Sequence, residues 1–293
     1  MQIHFNRIYV IESLQPNDKL TGTDLHKDLL RYQSIVHSDF ESILKNPVDK
    51  KDWNQLFKEI EKDCRLNGNS PIIHLEVHGE KLKRGLVLTS GELVTWEELY
   101  QNLVDINIAI KNELFITMAV CFGNFWLSSA FLNQPAAFRG IVGSFDELKV
   151  SDLVIRYNAF YQELFNSFDF NRAYTALKNS NPGLPNDYRC YSAEEIFALA
   201  FRDYEINYCS QKALRKRALV AANDSGCINR QERRKFEREF IKKEPQKRES
   251  YFQKCYQTFF MLKKYPELAS TIEFGNSMRE MKNHFKSIWQ LTA

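Results

Sequence analysis

The sequence of 293 residues has no long apolar run, no closely paired cysteines, no internal repeat and no low-complexity tract. A membrane-spanning helix needs roughly 18 apolar residues in a row, and the segment from Met1 to Ser13 lacks the basic start and long apolar stretch of a signal peptide. We therefore expect neither secretion nor membrane association. The six cysteines show no short paired spacing, and no nearby histidine would complete a zinc site. These absences predict a cytoplasmic protein with reduced thiols, no metal and no cofactor.

The composition is that of a folded domain, with 44% hydrophobic and 26% charged residues. The net charge of +3 hides an asymmetry between the two halves of the chain. Residues 1–150 carry 16 Lys or Arg against 20 Asp or Glu, whereas residues 151–293 carry 24 against 17. Because the two halves have net charges of −4 and +7, we expect them to have different roles.

Short apolar strands alternate with amphipathic helices in the first 180 residues, and a small hairpin pattern follows Gly79. This alternation predicts an α/β domain over residues 1–180, with a mostly parallel sheet flanked by helices. The predicted elements before the hairpin and after it are a strand from Arg7 to Leu14, a helix from Asp24 to Val36 with Thr23 as its N-cap, a helix from Lys51 to Leu66, and a helix that begins with a Thr95 and Glu98 capping box and runs to about Val104.

Two apolar runs end in reactive side chains. Ile72 to Val77 leads into His78-Gly79, and Leu114 to Val120 leads into Cys121-Phe122-Gly123. Each run is short, rich in β-branched or aromatic residues, and stops at a glycine, which is typical of a buried parallel strand. If the two strands are parallel neighbours, the segments beyond their C-terminal ends emerge at the same edge of the sheet. We therefore expect His78 and Cys121 to face one cleft.

The chain beyond Gly123 becomes more helical. An Asn-Pro-Gly-Leu-Pro-Asn stretch at 181–186 is the clearest linker, and every pattern after it is helical, which predicts an all-α region over residues 190–293. The later predicted features are a helix from Asn124 to Leu132, a strand from Arg139 to Ser144, a helix that starts at Asp152 and turns Ile155 inward, helix starts at Ser192 and Asn229, a helix stop at Gly226, and helix boundaries at Pro245 and Pro266.

The order and spacing of these pieces resemble a known family. A strand ending in Ile-His-Leu-Glu-Val-His78-Gly79 is followed 43 residues later by one ending in Ile-Thr-Met-Ala-Val-Cys121-Phe-Gly123. The pair looks like the caspase-like cysteine peptidases of clan CD. The Gly140-Ile-Val-Gly-Ser strand and the helix with Phe160-Tyr161 are most similar to the bacterial CHAT-type branch. The resemblance covers residues 1–178 and departs from many relatives at Ala119, where they carry an acidic residue.

This resemblance implies a caspase-like sheet and a cysteine endopeptidase that uses a Cys121 and His78 dyad. It also implies an oxyanion hole made by the backbone amides of Gly79 and Cys121, and a role in bacterial defence or stress. The residue chemistry agrees, because covalent amide hydrolysis needs a thiolate, an imidazole that moves a proton, and donors for the oxyanion. The start of a helix at Asn124 would favour a thiolate at Cys121.

Three acidic residues follow the strand after the cysteine. In the resembled family this loop helps form the pocket for the residue before the cleaved bond, and here it contains Asp146 and Glu147, with Asp152 further on. Carboxylates in a partly desolvated pocket would favour Arg or Lys in the substrate. The alternative is that Asp152 caps its helix while Asp146 and Glu147 are solvated.

Other residues have simpler interpretations. His74 is predicted to be a structural histidine on the same strand face as Glu76 and His78. The expected partners are a protein substrate and a regulatory protein, with nucleic acid less favoured and no membrane. The alternative function is a catalytically inactive binding protein whose basic helices, from Lys212 to Arg248, engage nucleic acid or an acidic protein. The cysteines predicted to be inert, in helical patterns, are Cys64, Cys190, Cys209, Cys227 and Cys255.

Overall fold

A computed structural model describes residues 1–129, 131–184, 187–226 and 229–290. The chain divides into two compact units. The first comprises Met1–Ala130 and Ala136–Ala193, and the second comprises Phe131–Pro135 and Glu194–Ala293. No helix among the described residues is long and apolar enough to cross a membrane.

The first unit is built on a mixed, mostly parallel sheet of eight strands, so the predicted α/β class with helices around a parallel sheet is confirmed. The strands are β1 (Arg7–Ser13), β2 (Glu41–Lys45), β3 (Pro71–Gly79), β4 (Gly85–Val87), β5 (Leu93–Thr95), β6 (Phe115–Met118), β7 (Gly140–Ser144) and β8 (Tyr188–Ser192). Their order in the sheet is β2-β1-β3-β6-β7-β8, in which β8 is the antiparallel edge and the β4–β5 hairpin extends from the end of β3.

Helices cover both faces of this sheet. The central strands are therefore buried on both sides, which explains why their sequences are continuous apolar runs. On β1, Ile8 and Val10 belong to the core that includes Tyr157, whereas Tyr9 points the other way and donates to Asp63 at 3.0 Å. The helices of this unit are α1 (Thr21–Leu25), a π-helix (His26–Leu30), α2 (Arg31–Val36), α3 (Lys50–Asn67), α4 (Trp96–Ala109), a 3₁₀-helix (Gly123–Ser129), α5 (Val150–Ser167) and α6 (Phe170–Asn179).

The predicted helix starts are partly correct. The capping box of Thr95 and Glu98 is present at the start of α4. Thr23, however, is not an N-cap, because the helix already begins at Thr21. The Thr23 N–H and hydroxyl instead donate to the buried carboxylate of Glu12, at 3.0 and 2.6 Å. A buried carboxylate needs such donors, so tertiary structure overrides the local capping signal.

Two strands were missed by the sequence patterns. The outer strand β2 lacks an apolar run, and β8 (Tyr-Arg-Cys-Tyr-Ser) pairs antiparallel with β7. The prediction that everything after the linker is helical is therefore wrong at β8, and Cys190 lies in a strand. The carbonyl of Asn181 accepts from Arg156 at 3.0 Å, so the start of this predicted linker is tied to α5 within the first unit.

The second unit is helical, as predicted. Its capping box of Asn229 and Glu232 is confirmed, and Gly226, at φ +73°, follows the end of the helix before it. Pro245 lies inside a 30-residue helix, so its prediction as a boundary is wrong. The helices are α7 (Ala193–Tyr204), a π-helix (Glu205–Cys209), α8 (Gln211–Asp224), α9 (Arg230–Phe259), a 3₁₀-helix (Pro266–Thr271), α10 (Met278–His284) and α11 (Lys286–Gln290).

The continuation of α9 past Pro245 has a packing reason. Proline removes one helical N–H donor and strains the preceding turn. Phe252 and Tyr256, further along α9, are buried, and both rings contact Phe197 of α7, at 5.6 and 6.3 Å between centroids. Burial of these aromatic side chains offsets the local cost of the proline.

Cys227, predicted to be inert, lies outside the described residues.

Candidate active site

The sheet brings His78 and Cys121 to one edge. Strands β3 and β6 are parallel neighbours with Ile72 opposite Phe115, and the polypeptide leaves both strands at the same end of the sheet. A methyl group added to Gly79 would lie 1.7 Å from the carbonyl oxygen of Cys121. The two backbones are therefore in direct contact, and only glycine fits at position 79.

His78 is held by a residue that the sequence patterns missed. Its imidazole Nε2 lies 2.6 Å from Oδ2 of Asp18, and the ring is half exposed. The hydrogen bond from His78 lowers the pKa of the Asp18 carboxyl below its ordinary value. Asp18 is itself fixed in a turn, because Oδ2 also accepts from the Gln15 N–H at 2.8 Å. With Nε2 engaged by Asp18, Nδ1 is the ring nitrogen left for a proton transfer.

A topological signal for Asp18 was present in the sequence. The polar loop after Leu14 follows β1, and β1 pairs with β3 in parallel. Loops that follow the carboxyl ends of parallel strands meet at one edge. The loops after β1 and β6, the two strands that flank β3, could therefore have been searched for a carboxylate within reach of His78.

Cys121 sits at a tight turn directly after β6. The next residue, Phe122, has φ +61°, which is unusual for a residue with a side chain. The Phe122 N–H donates to the carbonyl of Asp146 at 3.1 Å, and the Leu148 N–H donates to the Cys121 sulfur at 3.2 Å. A backbone donor aimed at sulfur stabilises negative charge there. This contact gives the sulfur a fixed position and an electrostatic partner.

The predicted α-helix from Asn124 to Leu132 is wrong in type and length. The segment forms a 3₁₀-helix over Gly123–Ser129. Asn124 is buried in it, and its Oδ1 would lie 2.6 Å from a methyl group added to Gly143, so packing against β7 shapes this turn. The expected α-helix dipole at Cys121 is absent from this described segment, and the Leu148 N–H supplies the donor instead.

The orientation of Gly79 suits the predicted oxyanion hole. The Glu80 N–H donates to the Gly85 carbonyl at 2.9 Å, which places Glu80 in a hydrogen-bonded pair of the β3–β4 ladder. Because successive N–H groups of a strand point to opposite sides, the Gly79 N–H points away from β4. Its assignment to an oxyanion hole, together with the Cys121 amide, stays a prediction.

The three predicted substrate-binding carboxylates separate into two groups. Asp146 and Glu147 are exposed in the short loop whose backbone contacts Phe122 and the Cys121 sulfur. Asp152 is buried instead, and both of its oxygens accept from Arg156 Nε at 2.7 Å. Its predicted place in a substrate pocket is therefore corrected to a structural ion pair. Lys149, not Asp152, is the N-cap of α5.

Ile155 of the same helix is 46% exposed, so its predicted inward orientation is also wrong. Phe122, the residue after Cys121, belongs to a partly exposed aromatic cluster. The rings of Phe122 and Phe125 are 6.4 Å apart, and Phe125 meets Phe145 at 5.4 Å. The Lys83 ammonium lies 4.3 Å from the Phe125 ring centre.

His74 is a structural histidine, as predicted. It is fully buried, with Nδ1 2.7 Å from Thr117 Oγ1 and Nε2 3.1 Å from Glu76 Oε1. The Glu76 carboxylate also accepts from the Thr21 hydroxyl at 2.6 Å. This network satisfies buried polar groups that would otherwise be costly.

No protein-family model and no curated protein matches the chain. The caspase-like resemblance therefore stays a prediction from the motifs. Within the described residues, no group of three or more His, Cys, Asp or Glu side chains is arranged to hold a metal ion. The candidate site consists of His78 at the end of β3, Asp18 on the loop after β1 and Cys121 on the turn after β6, with Asp146 and Glu147 on the loop whose Leu148 N–H contacts the sulfur.

Proposed function

We propose that the chain is a cysteine endopeptidase in which Cys121 is the nucleophile and His78 transfers protons. The observation that carries this proposal is the convergence, at one sheet edge, of the end of β3, the loop after β1 and the turn after β6. There the backbones of Gly79 and Cys121 touch, and Asp18 holds the His78 ring at 2.6 Å. A cysteine, a histidine and a group that orients the histidine are the set needed for nucleophilic acyl transfer.

The proposed reaction has two steps. The Cys121 thiolate attacks the carbonyl carbon of the scissile amide, a C–S bond forms, and the carbonyl π electrons move to oxygen. That oxyanion collapses, the C–N bond breaks, and protonated His78 gives its proton to the leaving amine. Water then attacks the thioester while His78 takes a proton from it, the C–S bond breaks, and the thiolate returns. The Gly79 and Cys121 amides would stabilise both oxyanions.

The proposed substrate is a protein with Arg or Lys before the cleaved bond. Asp146 and Glu147 support this preference because they are exposed carboxylates on the loop that contacts Cys121. The proposed location is the cytoplasm, since the five cysteines within the described residues are free thiols. The role in bacterial defence stays a prediction from the resemblance.

Labelling with a peptide electrophile tests this function directly. A peptidyl ketone with Arg next to its reactive carbon should modify Cys121 faster than any other thiol, as located by mass spectrometry of tryptic peptides. The His78→Ala variant should lose this selectivity, and Cys190→Ser serves as the control variant. Labelling of all accessible thiols at one slow rate would reject the peptidase and favour a protein that only binds its partner.

A further inference from the structure

A surface groove is lined by residues of the second unit. It has a volume of about 710 Å³ and runs beside α8. Several of its lining apolar side chains are strongly exposed, including Ile206 at 44%, Tyr208 at 55% and Val220 at 54%. Large apolar side chains exposed together are typical of a binding surface.

Basic side chains border this groove. Lys212 and Lys216 are one helical turn apart on α8, and both are exposed. Within the described part of the chain, no carboxylate forms a salt bridge with either lysine. Arg217 is different, because it lies 3.9 Å from the buried Glu244 carboxylate. Asp224, at the end of α8, is the acidic residue among the lining side chains. The groove therefore combines an apolar floor with unneutralised positive charge.

We propose that this groove, named here the α8 groove, binds an acidic amphipathic segment of a partner protein. Apolar residues of the segment would occupy the floor between Ile206 and Val220, and its carboxylates would face Lys212 and Lys216. This arrangement is a helix-in-groove contact, in which residues at helical spacing bind apolar pockets. Complementary charge supplies orientation and specificity. The proposal does not depend on the peptidase activity.

The lining favours a peptide over a nucleic acid. Single-stranded nucleic acids bind by stacking bases on free aromatic faces. One face of the Tyr208 ring is already stacked on Tyr204, with 5.6 Å between centroids and 19° between planes. The Phe240 ring is contacted by the Arg217 guanidinium at 5.7 Å and by the Lys247 ammonium at 4.9 Å. Aliphatic side chains make up the open floor, and they suit apolar residues of a peptide.

The probe is a set of fluorescein-labelled helical 16-residue peptides. Each carries Leu, Ile or Val along one face, Glu along the flanks, and no Lys or Arg, and each has a scrambled counterpart of equal charge. Binding to the full chain is measured by fluorescence anisotropy. At least one patterned peptide should bind about tenfold more tightly than its scrambled form, because only the pattern places apolar groups on the groove floor. Equal binding of patterned and scrambled peptides would overturn the proposal.

Matched variants locate the contact. The double change Lys212→Glu with Lys216→Glu, and separately Val220→Asp, should each weaken the peptide complex by about tenfold or more. The control is Lys235→Glu with Lys242→Glu, which makes the same charge change at exposed positions of α9 outside the groove. Circular dichroism checks that each variant is folded. If the control variant loses as much peptide affinity, the weaker binding comes from the change in overall charge and the contact does not lie in the groove.

Two competing occupants are tested with the same proteins. Displacement of the patterned peptide by single-stranded nucleic acid of equal charge would contradict the proposal. So would a dimer, seen by sedimentation, that the Val220→Asp variant abolishes, because a second copy of the chain would then occupy the groove.

Discussion

At the scale of single residues, the candidate site depends on three side chains and one glycine. In the proposed mechanism Cys121 and His78 supply the chemistry and Asp18 orients the imidazole, while Gly79 allows the two backbones to touch. Each has a distinct physical role, so each substitution is expected to have a distinct signature.

Removing either reactive side chain tests the dyad. Cys121→Ala and His78→Ala should each lower kcat/KM for a validated substrate by at least about a thousandfold, because nucleophile and proton carrier act as a unit. The His78 side chain is half exposed and Cys121 is only partly buried, so the melting temperature should change little. Cleavage at the wild-type rate by either variant would exclude the dyad.

Asp18 is expected to act through His78. Asp18→Asn keeps an oxygen for the Gln15 N–H but removes the negative charge beside the imidazole. We expect kcat to fall by about tenfold or more while KM stays unchanged, because the charge stabilises the His78 imidazolium that protonates the leaving amine and that forms again when His78 takes a proton from water. The bond to His78 lowers the pKa of Asp18, so the carboxylate stays ionised down to acidic pH. The defect should therefore be constant from pH 6 to pH 8 in steady-state kinetics. A change confined to KM would instead place Asp18 in substrate binding.

Gly79→Ala should disrupt the site sterically. The added methyl would lie 1.7 Å from the Cys121 carbonyl oxygen, so the backbone must shift. We expect a loss of about 1–3 kcal/mol in the free energy of unfolding, together with loss of labelling at Cys121. Gly183→Ala is the matched control, since an added methyl there has no neighbour within 4 Å. Equal stability of the two variants would show that the backbone at Gly79 can move away from the Cys121 carbonyl oxygen at little cost in folding free energy.

At the scale of elements, Glu205 connects the helices of the second unit. It follows α7 and accepts from Lys282 at 2.6 Å, Trp289 at 3.0 Å and Arg248 at 3.1 Å. Burial alone would raise the pKa of Glu205, but these three donors outweigh it and the pKa is lowered. One carboxylate thus connects α9, α10 and α11.

Glu205→Gln should lower the stability of this unit by about 1–3 kcal/mol at pH 7 in urea unfolding. Because the folded pKa of Glu205 is lowered, the ionic contribution is present above the unfolded pKa of about 4.3 and is lost as pH falls through the folded value. The difference from wild type should therefore shrink between pH 5 and pH 3. Glu273→Gln, an exposed carboxylate 3.7 Å from His284, is the control and should cost little. A pH-independent difference would assign the effect to packing.

At the scale of the whole molecule, each unit has its own aromatic core. Phe160 is buried in the first unit and Phe252 in the second. Phe160→Ala and Phe252→Ala should each lower the free energy of unfolding by about 3–5 kcal/mol, since each substitution leaves a cavity. Each should lower mainly the unfolding free energy of its own unit, which hydrogen exchange with mass spectrometry resolves by segment. Equal loss of protection in both units after one substitution would show that they unfold together.

The sequence by itself determined the central architecture and the placement of His78 and Cys121 at one sheet edge. Continuous apolar runs predicted the parallel strands β3 and β6, and the shared end of parallel neighbours predicted that His78 and Cys121 lie at one edge of the sheet. The capping boxes at Thr95 and Asn229 could also be predicted from the sequence, because capping is a local interaction among four residues. Such features need only near neighbours in the chain or a simple rule of strand pairing.

Tertiary structure decided the rest. Strand β8 exists because β7 offers a free edge, Asp152 is structural because Arg156 is buried beside it, and α9 passes through Pro245 because its aromatic residues pack on α7. Asp18 reaches His78 from 60 positions away, through the pairing of β1 with β3. These outcomes depend on partners that are distant in sequence, and burial and pairing energies there exceed the local preferences that sequence patterns report.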